Sequence, residues 1–196
     1  MNNRNIWQDY YAKALARPHA PRTAVAARLN HSGILTAIDC GCGTGSDIAY
    51  LAELGYQVHG FDINADAVSI CRERFAKQQS IQISQASFDE FEYPDCGLLI
   101  ANASLFFAKP VSFSRLWQSI TQSLASGGVF AGDFMGVNDS WAEGYRSPIT
   151  ALTRQQVLAL FEHYEVIEMH ERDEPGSTLL GRSKHWHTYS VVAIKS

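Results

Sequence analysis

Three glycines alternate behind an acid in Asp39-Cys40-Gly41-Cys42-Gly43-Thr44-Gly45-Ser46. A mostly apolar run, Ile34 to Ile38, precedes the acid, and a helical pattern opens directly after the last glycine. This reads as a buried strand, a tight turn and a helix N-terminus. Without a Cβ, Gly41, Gly43 and Gly45 let the backbone take positive φ and let a ligand touch it. The following helix points free N–H groups and its positive dipole end at the same place. The chemistry such a turn supports is the holding of a nucleotide-like cofactor. A second acid, Asp62, ends the next apolar run, in Gly60-Phe61-Asp62-Ile63. Its carboxylate can accept both hydroxyls of a ribose, or it can cap the next helix, a place that Asn64 fills equally well. Further along, Asp133, His185 and His187 are the groups able to move a proton or to hold a polar reactant.

These groups need elements to position them. Apolar spacing predicts a helix over residues 5–17 and, beyond Pro18 and Pro21, another over 22–29. Strands are expected at 33–39, 56–62, 81–84, 96–103 and 128–134, with helices at 46–54, 65–76 and 112–125. Gly127-Gly128 stops the last of these helices. Residues 135–151 read as a long irregular stretch, where ordered loops are often functional. Thr153 to Gln156 forms a capping box for a short helix. Strands at 164–170 and 185–194 close the chain, joined by the polar segment 171–184. The expected fold is α/β: a doubly wound, mostly parallel seven-stranded sheet with an antiparallel C-terminal edge hairpin. One domain covers 1–196, with 1–32 as a helical lid and 33–196 as a Rossmann-like core. Ligands of such sheets lie outside the C-terminal strand ends, where Asp39, Asp62 and Asp133 fall. Strand alternation sets Lys184 and Trp186 on one face and His185 and His187 on the other.

Two cofactor classes compete for the glycine turn. The dinucleotide fingerprint is G-x-G-x-x-G with an acid about 20 residues on. Here the spacing is G-x-G-x-G with Asp39 just before it, which resembles the first motif of class I S-adenosylmethionine (SAM) methyltransferases. The strand order extends the resemblance over residues 34–195. Trp7 and Tyr11 at one end, with Lys184-His185-Trp186-His187 at the other, also look like small-molecule enzymes of the tellurite-resistance and thiopurine methyltransferase groups. The resemblance implies that Asp39 helps hold the amino-acid end of SAM and that Ile63 packs on the adenine. It places Ser87-Phe88 where an acid and an apolar residue usually meet the adenine edge, with Asp89 as a substitute acid. It also implies that the carbonyl near Asn102 meets the ammonium group and that Trp7 or Tyr11 closes over the methyl. Gly97 stands where many relatives carry an aspartate. Asn102-Ala103-Ser104-Leu105 departs from the Asn-Pro-Pro-aromatic tetrapeptide of DNA amino-methyltransferases, which disfavours base methylation.

Leu105, Phe106 and Phe107 read either as core or as an apolar wall beside the sulfonium, whose charge an aromatic face attracts. Tyr10, with Trp7 and Tyr11, divides in the same way between core and lid. Asp133, Asp139 and Trp141 are candidates for substrate recognition. A net charge of −4 argues against a protein that grips nucleic acid over a wide face. No run approaches the ~20 apolar residues of a membrane span, and the first residues lack the apolar core of a signal peptide, which points to the cytoplasm. Cys40, Cys42, Cys71 and Cys96 lack zinc spacing, and no metal site is expected. The reading is SAM-dependent methyl transfer to a small-molecule acceptor, with oligomeric state open. The alternatives are a non-catalytic SAM-binding protein and a nicotinamide-dependent oxidoreductase.

Overall fold

The structure, a computed structural model, describes residues 10–145 and 147–196. Residues 10–15 are helical. Then follow α1 (Pro21–Leu29), β1 (Thr36–Cys40), α2 (Ser46–Glu53), β2 (Gln57–Asp62), α3 (Ala65–Arg74), β3 (Ile81–Gln85) and β4 (Cys96–Ala101). After two short 3₁₀ turns come α4 (Phe113–Ser123), β5 (Leu124–Gly136), α5 (Ser140–Gly144), β6 (Ala151–Leu152), α6 (Arg154–Leu160), β7 (Tyr164–Ser177) and β8 (Ser183–Lys195).

The main sheet runs β3-β2-β1-β4-β5-β8-β7, and β6 adds a short parallel pairing to β5. All pairings from β3 through β5 are parallel, whereas β8 is antiparallel to both of its neighbours. This is the expected doubly wound sheet, with an eighth strand, β6, where the stretch read as irregular ends. The last strand is inserted next to β5, which leaves β7 at the edge.

Every residue of β4 is buried, because helices cover both faces of the sheet centre. Leu98 and Ile100 pack with α1, α2 and α3, while Leu99 and Ala101 pack with α4 and α6. Cys96 breaks this alternation, since a register shift lies between it and Leu98. Gly97 sits in that irregularity. A Cβ there would collide with the Ile34 carbonyl, so no aspartate fits at this position.

The polar segment 171–184 is the main departure from expectation. Most of it is strand: β7 and β8 pair from Tyr164↔Lys195 to Ser177↔Ser183, with one register shift between Val166 and Glu168, while β8 leaves β5 at Thr188. The hairpin therefore runs past the sheet as a two-stranded arm beyond the C-terminal strand ends. Its β7 half is mostly exposed, and its β8 half buries polar side chains, Lys184 and His187, so the ribbon shows no apolar alternation. Its Pro175 is tolerated because β7 is an edge strand.

Candidate active site

The turn after β1 is built by several parts of the chain. Gly41 N–H and Cys42 N–H both donate to the Phe61 carbonyl, at 2.8 and 2.9 Å, tying the turn to β2. Cys71 Sγ donates to the Gly43 carbonyl at 3.2 Å from α3, and Arg74 donates to the Thr44 carbonyl. Gly41 and Gly45 are needed for packing as well as for φ of +71° and +78°, since a Cβ would stand 2.6 Å from Ser104 and from Phe75, respectively. Gly43, at φ +53°, differs. A Cβ there would meet nothing within 4 Å, so its bare face is turned to open space. All four cysteines are buried free thiols.

Asp62 accepts from Gly43 N–H at 3.0 Å and from Asn64 N–H at 2.9 Å. The cap of α3 is Asn64, whose side chain accepts from Asp66 N–H. Asp62 is thus the tie between turn and strand end, with lone pairs left for a ligand. Burial pushes its carboxyl upward against the backbone donors that lower it. Next to it Ile63 is 71% exposed, an apolar side chain with nothing laid upon it.

Asp39 is buried, and its pKa is well above the usual carboxylate range. Burial is the first cause, followed by Asp47, Cys71 and Asp62. Three carboxylates converge here, and a cation is what they call for. Asn102 points to the same need. Its amide nitrogen donates to Thr23 and to Asp47, both at 3.0 Å, which fixes the amide orientation. Its oxygen is left buried without a hydrogen-bond partner among the described residues. A buried acceptor in this state costs ~1–3 kcal/mol until a donor arrives. Open space at Gly43, converging acids and an orphan acceptor together fit a ligand with a cationic amino-acid end. Asp47, which also accepts from Ala20 N–H at 2.9 Å, was missed by sequence reading. Its signal is an acid in the first turn of the helix after the glycines.

Ser87 donates from its hydroxyl to Glu90 at 2.7 Å. Asp89 faces Lys109 and Arg115, at 3.6 and 3.9 Å, so the acid beside Ser87 is Glu90 and not the expected Asp89. Phe88 packs edge-on against Phe61. Tyr11 is buried, and Asp62, Asp66 and Cys42 are among the groups that help burial raise its hydroxyl pKa, which sets it near the turn. Trp7 lies outside the described residues.

A cavity of about 850 Å³ opens beyond the strand ends. Ala103 and Phe107 from the loop after β4, Asp133 of β5, Trp141, and Trp186 with Ser190 of β8 are in its wall. Tyr10 and Phe106 also line it, whereas Leu105 lies in the core.

Three expectations about proton carriers change here. Asp133 lines the cavity but is fully engaged: it is paired with Arg22, and it accepts from Ser190 at 2.6 Å and from Ala103 N–H at 2.8 Å. It holds Ala103 at φ +50° and is not a free base. His187 is buried away from the cavity. Its Nδ1 accepts from Asn138 N–H at 3.0 Å, and its Nε2 meets Glu171 at 3.2 Å. With Nδ1 an acceptor, Nε2 carries the proton. His185 Nε2 faces Asp173 at 2.6 Å, also outside the cavity. The even-numbered residues Trp186, Thr188 and Ser190 line it instead, and so does His170 of β7.

Asp139, expected at the acceptor, is likewise absent from the cavity wall. It caps α5, accepts from Trp141 N–H and His187 N–H, and pairs with Lys184 in a fully buried contact. The Lys184 ammonium lies 4.3 Å from both the Trp141 and the Trp186 ring centres. Sequence reading missed this clamp between α5 and the hairpin arm.

Residues 37–128 match the family model described as a methyltransferase domain. The chain thus carries a SAM-dependent methyltransferase domain, on a class I fold. Many solved structures share the fold, among them the following three. TehB from Haemophilus influenzae superposes with a TM-score of 0.74 at 16% identity, covering 97% of this chain and 67% of TehB. The Burkholderia thailandensis 1,6-didemethyltoxoflavin N1-methyltransferase, solved with its substrate and S-adenosylhomocysteine, gives 0.66 at 17%, covering 98% and 82%. The N-methyltransferase NodS from Bradyrhizobium japonicum gives 0.65 at 15%, covering 89% and 94%. Comparison with curated protein sequences finds no match. The nicotinamide alternative is set aside by the domain match. Among the described residues no cluster could hold a metal, and no helix is long and apolar enough to cross a membrane.

The tie made by Asp62 gives a test in this methyltransferase. Asp62→Ala removes a charged acceptor, and hydrogen bonds to charged groups contribute ~1.5–3 kcal/mol each. Affinity for S-adenosylhomocysteine in calorimetry is expected to fall at least tenfold, while the α3 cap on Asn64 preserves the fold. Unchanged affinity would leave Asp62 as a brace of the turn alone.

Proposed function

We propose that this methyltransferase modifies a small molecule bound in the cavity beyond the strand ends. The observation that carries the reading is the cavity's wall. Ala103, just past β4, and Asp133 of β5 belong to it, so it opens beside the turn that follows β1. Its size falls in the ~300–1,000 Å³ range of small-molecule sites. SAM supplies an electrophilic methyl group on a sulfonium. The residues that would hold it are Asp39, Gly41, Gly43, Gly45, Asp62, Ile63, Ser87, Phe88 and Asn102. In this reading Asp39 and the Asn102 amide oxygen take the ammonium group, Asp62 takes ribose hydroxyls and Ile63 backs the adenine. Of the expected lid over 1–32, α1 packs on the sheet instead, so the lid role falls to the segment ahead of α1, of which Tyr11 is a described member. A cytoplasmic location and an acceptor other than nucleic acid belong to the same reading.

Direct displacement at carbon depends mostly on alignment, with reacting atoms ~3–3.5 Å apart. The chain's own contribution is to fix the walls, exclude water and take a proton where the acceptor is oxygen or nitrogen. His170 is placed for that last role because it lines the cavity, whereas His185 and His187 are committed to acids elsewhere.

The test uses methyl-labelled SAM with the protein and a fractionated cell extract. Label is expected in the low-molecular-weight fraction, with a turnover number at least tenfold lower for His170→Gln than for His185→Gln. Label confined to nucleic acid or protein would sink the small-molecule reading. Tight SAM binding without any transfer would favour the non-catalytic one.

A further inference from the structure

The cavity is basic although the chain is acidic. The net charge is −4, yet Arg17, Arg22, Arg172 and Arg182 line the cavity together with one acid, Asp133. That acid is consumed by Arg22. Arg172 shares its Nε with Glu174 at 3.0 Å, an exposed pair that leaves the rest of the guanidinium fork open, and its Cζ lies 5.4 Å from the Trp186 ring centre. No acid among the described residues stands within ion-pair distance of Arg17 or Arg182. Low-dielectric walls around charges of one sign focus their field into the space between them. Guanidinium forks suit planar anionic groups such as carboxylates.

The rest of the lining is largely aromatic. Phe107 packs with Trp141 and Tyr145, and Trp141 continues to Trp186, with ring centres 4.9–6.2 Å apart. The Lys184 ammonium behind Trp141 and Trp186 holds these two rings in place. The volume also decides between kinds of anion. An inorganic oxyanion fills the room of a few waters, at ~30 Å³ each, which is a small part of 850 Å³.

We propose that the methyl acceptor is an organic anion, with a flat apolar body against the Phe107–Trp141–Trp186 wall and a carboxylate-like group held by Arg172 and Arg182, with Arg17 adding positive charge to the same cavity. The inference rests on the cavity being the acceptor site. Both arginines of the subsite come from the hairpin arm: Arg172 lies on β7 and Arg182 in the turn before β8.

The experiment is calorimetry on protein saturated with S-adenosylhomocysteine. The probes are matched pairs of aromatic acids and their amides, 4-hydroxybenzoate with 4-hydroxybenzamide and indole-3-acetate with indole-3-acetamide, and selenite as an inorganic oxyanion. At least one acid is expected to bind tenfold or more tighter than its amide, and Arg172→Gln with Arg182→Gln is expected to abolish that preference. Arg182→Gln alone, in an exposed turn, is expected to remove most of it with an unchanged melting temperature. Affinity for S-adenosylhomocysteine stays the same in all variants. Its loss in the unmodified protein would instead overturn the cofactor reading, so the two failures are distinguishable. Amides that bind as well as acids, binding of selenite alone, or no binding by any probe would overturn the proposal.

Discussion

Replacing Lys184 with methionine is expected to lower the melting temperature by roughly 6–20 °C. Lys184 and Asp139 have side chains 1% and 0% exposed and are paired. Asp139 also receives N–H groups from Trp141 and His187, so the one carboxylate joins α5 to the hairpin arm. Methionine fills the slot between the two tryptophans but leaves the carboxylate buried without its cation. Removing one partner of a buried pair costs about 3–5 kcal/mol, and for a chain of this length each 1 kcal/mol moves the melting temperature by ~2–4 °C. Adding Asp139→Asn to Lys184→Met is expected to recover part of the loss, because the stranded charge is gone. Calorimetric melting of the two variants decides it. A shift under ~2 °C for Lys184→Met would mean that the arm is held by its ladder and its aromatic contacts alone.

Asp39→Asn is expected to act in two opposite directions. The ligand-free variant should be more stable than the parent by roughly 0.5–2 kcal/mol, the range of single stabilising changes, and its SAM affinity should be at least tenfold lower. The reason is the raised pKa of Asp39, caused first by burial and then by Asp47, Cys71 and Asp62. The sign follows from linkage. Between the ordinary carboxylate value of 3.8 and the raised folded value, the folded state binds more protons than the unfolded state. Stability of the ligand-free protein therefore falls as pH rises through that window. The cation-binding charge appears over the same rise, so SAM affinity should increase with pH, and binding inside the window should release a proton. Asp39→Asn flattens both dependences. Calorimetry in buffers of different ionisation enthalpy reads the proton release. A variant that binds SAM normally would remove Asp39 from the cofactor site.

The expected site and the observed one differ in an instructive way. The glycine turn, Asp39 and Asp62 were legible because each is fixed by neighbours in sequence. An apolar run, an acid and a run of glycines state their own geometry. Asn64 and Asp62 share a strand end, and local spacing could not tell which one caps α3. Asp133 was read as a candidate proton carrier or substrate ligand, and its engagement was not legible because its partners are remote: Arg22 lies 111 positions before it and Ser190 lies 57 after. The histidines lie outside the cavity for a related reason. Alternation correctly separated His185 and His187 from Trp186, but only the seating of β8 between β5 and β7 decided which face meets the cavity.

By itself, then, the sequence determined the doubly wound sheet, the turn after β1 and the acids at the strand ends. These follow from backbone sterics and hydrophobic periodicity, which act over a few residues. Only the tertiary structure decided that the polar segment 171–184 is a paired arm, that Lys184 and Asp139 lock it to α5, and that four arginines from both ends of the chain meet in one cavity. A polar ribbon carries no periodic signal of its pairing, and charges far apart in sequence are brought together by strand order, which a linear pattern does not contain.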